Sequence, residues 1–312
     1  MPRVLIATFY QFSVLLDFCA LRESLREKCV ELSLKGTLLL AEEGINGTLA
    51  GGEAALREFL AFLRSDERFA TMAHKESWSQ DSPFVRLKVR LKKEIVTLGV
   101  PGVDPTVETG EHVKSTDWNA LIKQPDVVLV DTRNRYETEM GSFEGALQVK
   151  TDSFGDFPDW VRHQPALTHD TPVAMFCTGG IRCEKASAYL IQQGFENVYQ
   201  LEGGILQYLN DVSHEENLFD GECYVFDSRV SVDSRLEPGS FEMCCACGRP
   251  VRGDQLHDPM FRRGVSCRRC YDETSDEQKA GFAERQRQVE IAQSRNVSHF
   301  DPQPATSKRV IE

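Results

Sequence analysis

The sequence predicts an α/β protein of two or three domains: a central domain on a parallel sheet, an α+β domain before it and a four-cysteine module after it. Three observations predict this. The apolar run Val173-Ala-Met-Phe176 leads into Cys177-Thr-Gly-Gly-Ile-Arg182, and Ala186, Tyr189 and Leu190 follow at helical spacing, so a strand, a tight loop and a helix succeed one another. Residues 1–98 alternate strand-like runs with two amphipathic helices. Cys244-Cys-Ala-Cys247 and Cys267-Arg-Arg-Cys270 form two CxxC pairs separated by 19 residues.

In the first domain, Val4-Leu-Ile-Ala-Thr-Phe9 predicts a strand and Phe12 to Cys29 a helix, with Leu15, Leu16, Phe18, Leu21 and Leu25 at helical spacing. Leu38-Leu-Leu40 predicts a second strand, and the Gly- and Asn-rich stretch Glu42 to Leu49 a turn. Glu42, Glu43 and Asn46 read as turn chemistry rather than as a pocket. Ala54 to Arg64 predicts a second helix, with Leu56, Phe59, Leu60 and Leu63 on one face, and Phe84 to Leu91 a closing strand. The order is that of a ferredoxin-like split β-α-β sandwich. In the closing strand Arg86, Lys88, Arg90 and Lys92 alternate with Val85, Leu87, Val89 and Leu91. Period two puts four cations on one face. That face is either solvated beside acidic neighbours or a surface for a phosphate backbone.

Gly99-Val-Pro-Gly-Val-Asp-Pro105 marks a linker (99–106) to a domain at 107–221. There a helix opens at Trp118, capped by Ser115, Thr116 or Asp117, and the strand Val127 to Val130 ends at Asp131. Residues just past strand C-termini line the sites of α/β sheets, which places Asp131, Arg133 and Cys177 together. Loop N–H groups and a helix N-terminus favour the thiolate, so Cys177 reads as a nucleophile in an anion cradle formed by Thr178, Gly179, Gly180, Ile181 and Arg182. Arg182 either pairs with a bound anion or braces the loop through carboxylates. Cys183 is either a resolving thiol or a core residue.

Cys244, Cys247, Cys267 and Cys270 have zinc-ribbon spacing in a module at 222–275. A closed four-thiolate set leaves no open position, so the metal, zinc, is structural. Arg262, Arg263, Arg268 and Arg269, with Phe261 and Tyr271 among them, suit phosphates and stacked bases. Asp276 to Gln293 reads as a polar helix, and residues 294–312 as a disordered tail.

The net charge of −12 is concentrated in the middle: residues 111–221 carry 8 Lys+Arg against 18 Asp+Glu, and each flank 14 against 15. The flanks are close to neutral, which leaves room for a local basic face in either. With no run of eighteen apolar residues and no signal-peptide pattern, the expectation is a cytoplasmic protein without membrane association, its ten cysteines reduced, catalytic or metal-bound.

The loop Cys177-Thr-Gly-Gly-Ile-Arg182 resembles the active-site loop of rhodanese (sulfurtransferase) domains. Val127-Val-Leu-Val-Asp-Thr-Arg133, Tyr136-Glu137, Gly141 to Ala146 and Val198 to Gly204 resemble the segments around it. This resemblance implies that Asp131 and Arg133 hold the loop. The four residues between Cys177 and Arg182 make a tighter cradle than the five of the similar cysteine phosphatases, and suit a persulfide on Cys177. The order of glutamate-rich turn, basic strand, rhodanese loop and cysteine pairs resembles the bacterial tRNA uridine-34 hydroxylase family over about residues 1–275. That resemblance implies conversion of the wobble uridine to 5-hydroxyuridine, with molecular oxygen as co-substrate and the tRNA anticodon loop, not DNA, as partner. The chain carries no flavin or haem motif. The alternatives are a sulfurtransferase delivering sulfane sulfur to a thiol or cyanide, and a non-catalytic RNA-binding scaffold.

Overall fold

The computed structural model describes residues 3–295, which divide along the chain into two compact units, the first ending at Gly239 and the second beginning at Ser240. The predicted tail lies, from residue 296 onward, outside the described residues.

The first unit begins with a five-stranded sheet. Its elements are β1 (Val4–Phe12), α1 (Phe18–Glu31), β2 (Lys35–Ala41), β3 (Gly44–Gly51), α2 (Glu53–Arg64), β4 (His74–Ser79) and β5 (Leu87–Leu91), in sheet order β4-β1-β3-β2-β5. The first four strands pair antiparallel, as a ferredoxin-like sandwich requires, and β5 adds parallel to β2 at the edge. Strand alternation sends Leu5, Ala7 and Phe9 to the core under the helices, where Leu25, Leu38, Leu56 and Phe59 meet them.

Three expectations in this domain are corrected. The fourth sandwich strand is the polar β4, which alternation of apolar residues does not reveal; the cationic stretch is the extra strand β5, begun at Leu87. The Glu42 to Leu49 stretch is mostly β3, with the turn confined to Glu42 and Glu43. Residues 12–17 are not helical, because β1 continues to Phe12 to pair with Gly44.

The central sheet is parallel throughout, in the order β6-β11-β10-β7-β9. The domain around it comprises β6 (Glu111–Val113), α3 (Ser115–Ile122), β7 (Val128–Asp131), α4 (Arg135–Thr138), β8 (Gly141–Phe143), β9 (Leu147–Gln148), α5 (Phe157–Arg162), β10 (Val173–Phe176), α6 (Ile181–Gln192), β11 (Val198–Leu201) and α7 (Gly204–Asp211). The helix at α3 is capped by the backbone of Lys114, not by Ser115, Thr116 or Asp117. Every residue of β10 is buried: Val173 and Met175 enter a core with Ala186 and Tyr189 of α6, while Ala174 and Phe176 enter one with Trp118 and Tyr208. Such two-sided burial is the mark of a parallel strand covered on both faces. β12 (Phe219–Gly221) returns against β8, and a short hairpin, β13 (Cys223–Tyr224) and β14 (Ser231–Val232), follows.

The outer face of the N-terminal sheet packs on this domain. Tyr10, Phe12 and Ala41 contact Ile95 and Ile181. Lys185 of α6, 2% exposed, reaches Glu43 at 2.6 Å and Glu94 at 2.5 Å. Glu43 also accepts the Ile95 N–H at 2.6 Å, and Asn46 donates to the Ile95 carbonyl at 3.1 Å. The glutamate turn therefore clamps linker and helix together.

The second unit holds the hairpin β15 (Glu242–Met243) and β16 (Pro250–Val251), the cysteine cluster and the long helix α8 (Asp276–Ser294). Among the described residues no helix is long and apolar enough to cross a membrane.

Replacing Lys185 with Met leaves two half-buried carboxylates unpaired. Thermal unfolding should show a loss of about 2–3 kcal/mol, the low side for a broken buried pair because the carboxylates keep some solvent. That corresponds to roughly 5–10 °C in the melting temperature of a unit this size.

Candidate functional site

Cys177 follows β10 at the C-terminal edge of the parallel sheet, one residue past Phe176, which pairs with Asp131 at the end of β7. The chain must reverse there to enter α6, and Gly180 takes φ +102° to do so. The curled loop turns the Gly180 N–H onto Cys177 Sγ at 3.1 Å. A second glycine is required beneath it. Gly204 has φ +67°, and a Cβ there would lie 2.5 Å from the Cys177 carbonyl. Its neighbours Ile205 and Leu206 donate their N–H groups to the carbonyls of Cys177 and Thr178.

The charges around the sulfur are arranged in layers. Arg182 forms a bidentate pair with the fully buried Glu137, Nη1 to Oε1 at 2.6 Å and Nη2 to Oε2 at 2.7 Å. Arg182 therefore braces the loop, and its charge still acts on Cys177. Burial works against the Glu137 carboxylate, yet the Arg182 charge holds its pKa below the usual range. Behind it Arg133 grips Asp131 at 2.9 and 2.6 Å and the Gly141 carbonyl at 2.5 Å, and Ser142 donates to Asp131 at 2.7 Å. This pair fastens β7 to the start of β8 and packs between the Phe176 and Phe219 rings.

Burial alone would keep Cys177 protonated. The hydrogen bond from Cys183, the Arg182 charge and the N–H groups of Arg182 and Gly180 overcome it, and lower the Cys177 pKa to about 5. Burial beside that thiolate pushes the Cys183 thiol well up, so it stays protonated and able to donate. Cys183 is wholly inside the core, with Thr132 Oγ1 3.7 Å from its sulfur.

The anion cradle is roofed: Cys177 is only 1% exposed. The N-terminal domain supplies the roof. Lys75 of β4 donates to the Gly179 carbonyl at 3.0 Å, and Tyr10 of β1 stands over Gly180 while donating to Glu184 at 3.0 Å. Thr8 pairs with Lys75 across the sheet, so Tyr10 and Lys75 share its outer face. Burial lowers the Lys75 pKa, and the Cys177 and Glu184 charges oppose that drop. Glu184 also contacts His112 at 3.0 Å, and that carboxylate raises the imidazole pKa. Tyr10, Lys75, Glu137, Glu184 and His112 escaped the sequence reading. Only the Tyr136-Glu137 stretch carried a signal, through its resemblance to rhodaneses.

The cationic residues lie elsewhere. Arg86, Lys88, Arg90 and Lys92 run along β5, separated from β1 by β3 and β2, about 14 Å at ordinary strand spacing. Among the described residues none of the four has a carboxylate within ion-pair distance, so no acidic neighbours solvate this strip. Val85 and Leu91, expected on the inner face, are exposed, and only Leu87 and Val89 reach the core.

In the second unit, Arg263 pairs with Glu242 at 2.7 Å and Arg268 with Asp258 at 3.6 Å, both as exposed side chains. Arg262 has no such partner among the described residues, and Arg269 makes contacts of its own. The four predicted metal ligands converge: the sulfurs of Cys244, Cys247, Cys267 and Cys270 all lie within 4.8 Å of one another. Cys244–Cys270 is 3.9 Å, and Cys247–Cys267 and Cys267–Cys270 are 3.8 Å. Zinc–sulfur bonds of about 2.3 Å in a tetrahedron put the sulfurs about 3.8 Å apart, so the cluster fits a zinc-sized ion. The Cys267 N–H donates to Cys270 Sγ at 3.3 Å and orients it.

The fold and this site define a rhodanese-type α/β protein whose cysteine loop is covered by an added α+β domain. Residues 115–211 match the family described as Rhodanese-like domain, and residues 4–95 that described as UPF0176 acylphosphatase like domain. The chain is 51% identical over 296 residues to the tRNA uridine(34) hydroxylase of Agrobacterium fabrum, covering 95% of this chain and 94% of that one. It is 50% identical to the protein of that name from Albidiferax ferrireducens, covering 97% of each. With the Rhizobium etli protein of that name it shares 48% identity over 95% of this chain and 96% of that one. The chain belongs to the tRNA uridine(34) hydroxylase family.

Alkylation of Cys177 by a small reagent, followed by mass spectrometry, should be slow but should rise with pH through a midpoint near about 5 rather than near 8.5, the ordinary thiol value. Lys75→Met removes a neighbouring cation and should move that midpoint upward by about one pH unit. Metal analysis should find about one zinc-sized ion per chain, and Cys267→Ser should release it and unfold the segment around the four sulfurs.

Proposed function

We propose that this chain hydroxylates uridine 34 of tRNA, giving 5-hydroxyuridine, with molecular oxygen as co-substrate and Cys177 as the reactive residue. The observation that carries the reading is the roofed sulfur. Cys177 is ionised by its own domain and covered by Tyr10 and Lys75 of a second domain, and both domains are shared with the relatives at near full length. A sulfurtransferase needs only the central domain and gains nothing from the cover. Excluding water protects a reactive intermediate.

The residues divide the task. Gly180 N–H and Arg182 hold negative charge at the Cys177 sulfur, whether thiolate or persulfide. Thr178, Gly179 and Ile181 shape the loop, Asp131 and Arg133 fix it from behind, and Cys183 supplies a neutral donor. The unpaired Arg86, Lys88, Arg90 and Lys92 offer a phosphate surface near a sheet edge. Arg262, Arg263, Arg268 and Arg269 offer a second, since exposed ion pairs are weak and exchange readily for phosphate. The four cysteines would hold a structural zinc, which takes no part in the chemistry. The substrate is the anticodon loop, whose unstacked wobble base is accessible without melting a duplex, in the cytoplasm where tRNA is modified.

Nucleoside analysis of tRNA tests this. A strain lacking the gene should lose 5-hydroxyuridine and its derivatives, the wild-type gene should restore them, and Cys177→Ala should restore less than about one per cent. Loss of a thiolated nucleoside instead would mark the chain as a sulfurtransferase.

A further inference from the structure

We propose that Phe226 is the surface on which the target uridine stacks as it approaches the cysteine loop; this rests on the hydroxylase reading above. Phe226 lies in the loop of the β13–β14 hairpin, outside both matched family segments. Its ring stands 6.0 Å from the Arg182 guanidinium, the group that also acts on Cys177, and yet the residue is 60% exposed.

The ring is also held rigidly. Phe226 meets Tyr224 edge-on at 5.0 Å, and Tyr224 meets Tyr136 edge-on at 5.2 Å. The next residues are pinned: Asp227 accepts the Arg229 backbone N–H at 2.9 Å and its guanidinium at 2.6 Å. Arg229 and Ser228 then reach the N-terminal domain, at Ser77 (3.3 Å) and at the Pro83 carbonyl (3.3 Å). Val230 is held at φ +65°, a backbone state costly for a β-branched residue. The surrounding structure thus imposes the loop's shape, as at sites where strain serves a geometry.

The occupant follows from what adjoins the ring. Phe226 is beside Arg182. Two residues on, the Ser228 N–H reaches Pro83, three residues before Arg86, the first of the unpaired cations and within about 11 Å along the chain. A ligand with phosphates for the cations and a flat base for the ring spans this strip, which describes single-stranded RNA. Base-on-aromatic stacking is the usual way such bases are held out of their own stack.

The test uses the full-length protein and an anticodon stem-loop RNA with uridine at the wobble position. Phe226→Leu keeps an apolar side chain without a π face; it should leave the melting temperature unchanged and lower kcat/KM for hydroxylation about ten- to a hundredfold, mainly through KM. Phe226→Trp should keep most activity. Its added fluorescence should be quenched by that RNA and much less by the same RNA with an abasic wobble site, whereas the wild-type tryptophans show no such difference. Equal kcat/KM for wild type and Phe226→Leu, or equal quenching by both RNAs, overturns the stacking role while leaving the hydroxylase reading intact. A wild-type protein that leaves uridine 34 unmodified overturns both.

Discussion

The buried pair between Arg182 and Glu137 is the constraint on which the rest of the site depends. Both groups lose their hydration, and only a bidentate geometry near 2.6–2.7 Å compensates for that. Arg182 is the second residue of α6, and Glu137 belongs to the short α4, where it also closes a capping box with Asn134. The pair ties the loop to a separate element, fixes the Gly180 N–H on the sulfur and leaves a cation beside it. Removing either partner would strand a buried charge, so the reactive state of Cys177 and the stability of the loop rise and fall together.

The second domain completes what the pair begins. A ferredoxin-like sandwich has one face under its helices and one face free. Here the free face is spent on the cysteine loop, through Tyr10 and Lys75, and is locked by Lys185 between Glu43 and Glu94. The cover raises the strength of each electrostatic contact at the sulfur by removing water. It also means that any molecule reaches the Cys177 sulfur only when the roof shifts. The contacts that hold the roof are single hydrogen bonds at Gly179 and Glu184, while the clamp at Lys185 is stronger, so the structure favours local displacement over separation of the domains.

This arrangement explains how a sulfurtransferase-type loop serves a family named for hydroxylation. The loop contributes a stabilised sulfur anion and nothing specific to sulfur transfer. In the function proposed above, the roof supplies the protection, and the unpaired cations of β5 with the exposed Phe226 beside Arg182 supply the nucleic-acid surface. Function has been added around a fold rather than within it.

The central domain was legible in the sequence because its signals are local. An all-apolar β10, glycines at a strand-to-helix junction and Asp131 at a strand end each report on neighbours a few residues away. The CxxC pairs were equally plain, since metal geometry imposes ligand spacing. The N-terminal domain was legible in class but not in detail: β4 reads His-Lys-Glu-Ser-Trp-Ser, without apolar alternation, because its helix-side positions His74, Glu76 and Trp78 sit at the sheet edge, where His74 and Glu76 meet arginines and Trp78 is exposed. The sequence by itself determined the strand-loop-helix setting of Cys177, the two folds around it and the convergence of four cysteines. Only the tertiary structure decided that Arg182 is paired with Glu137, that Lys75 and Tyr10 cover the sulfur, and that Phe226 stays exposed. The hydrogen bonds among them join residues 45 to 174 positions apart, and a pairing that distant leaves no periodic trace in the chain.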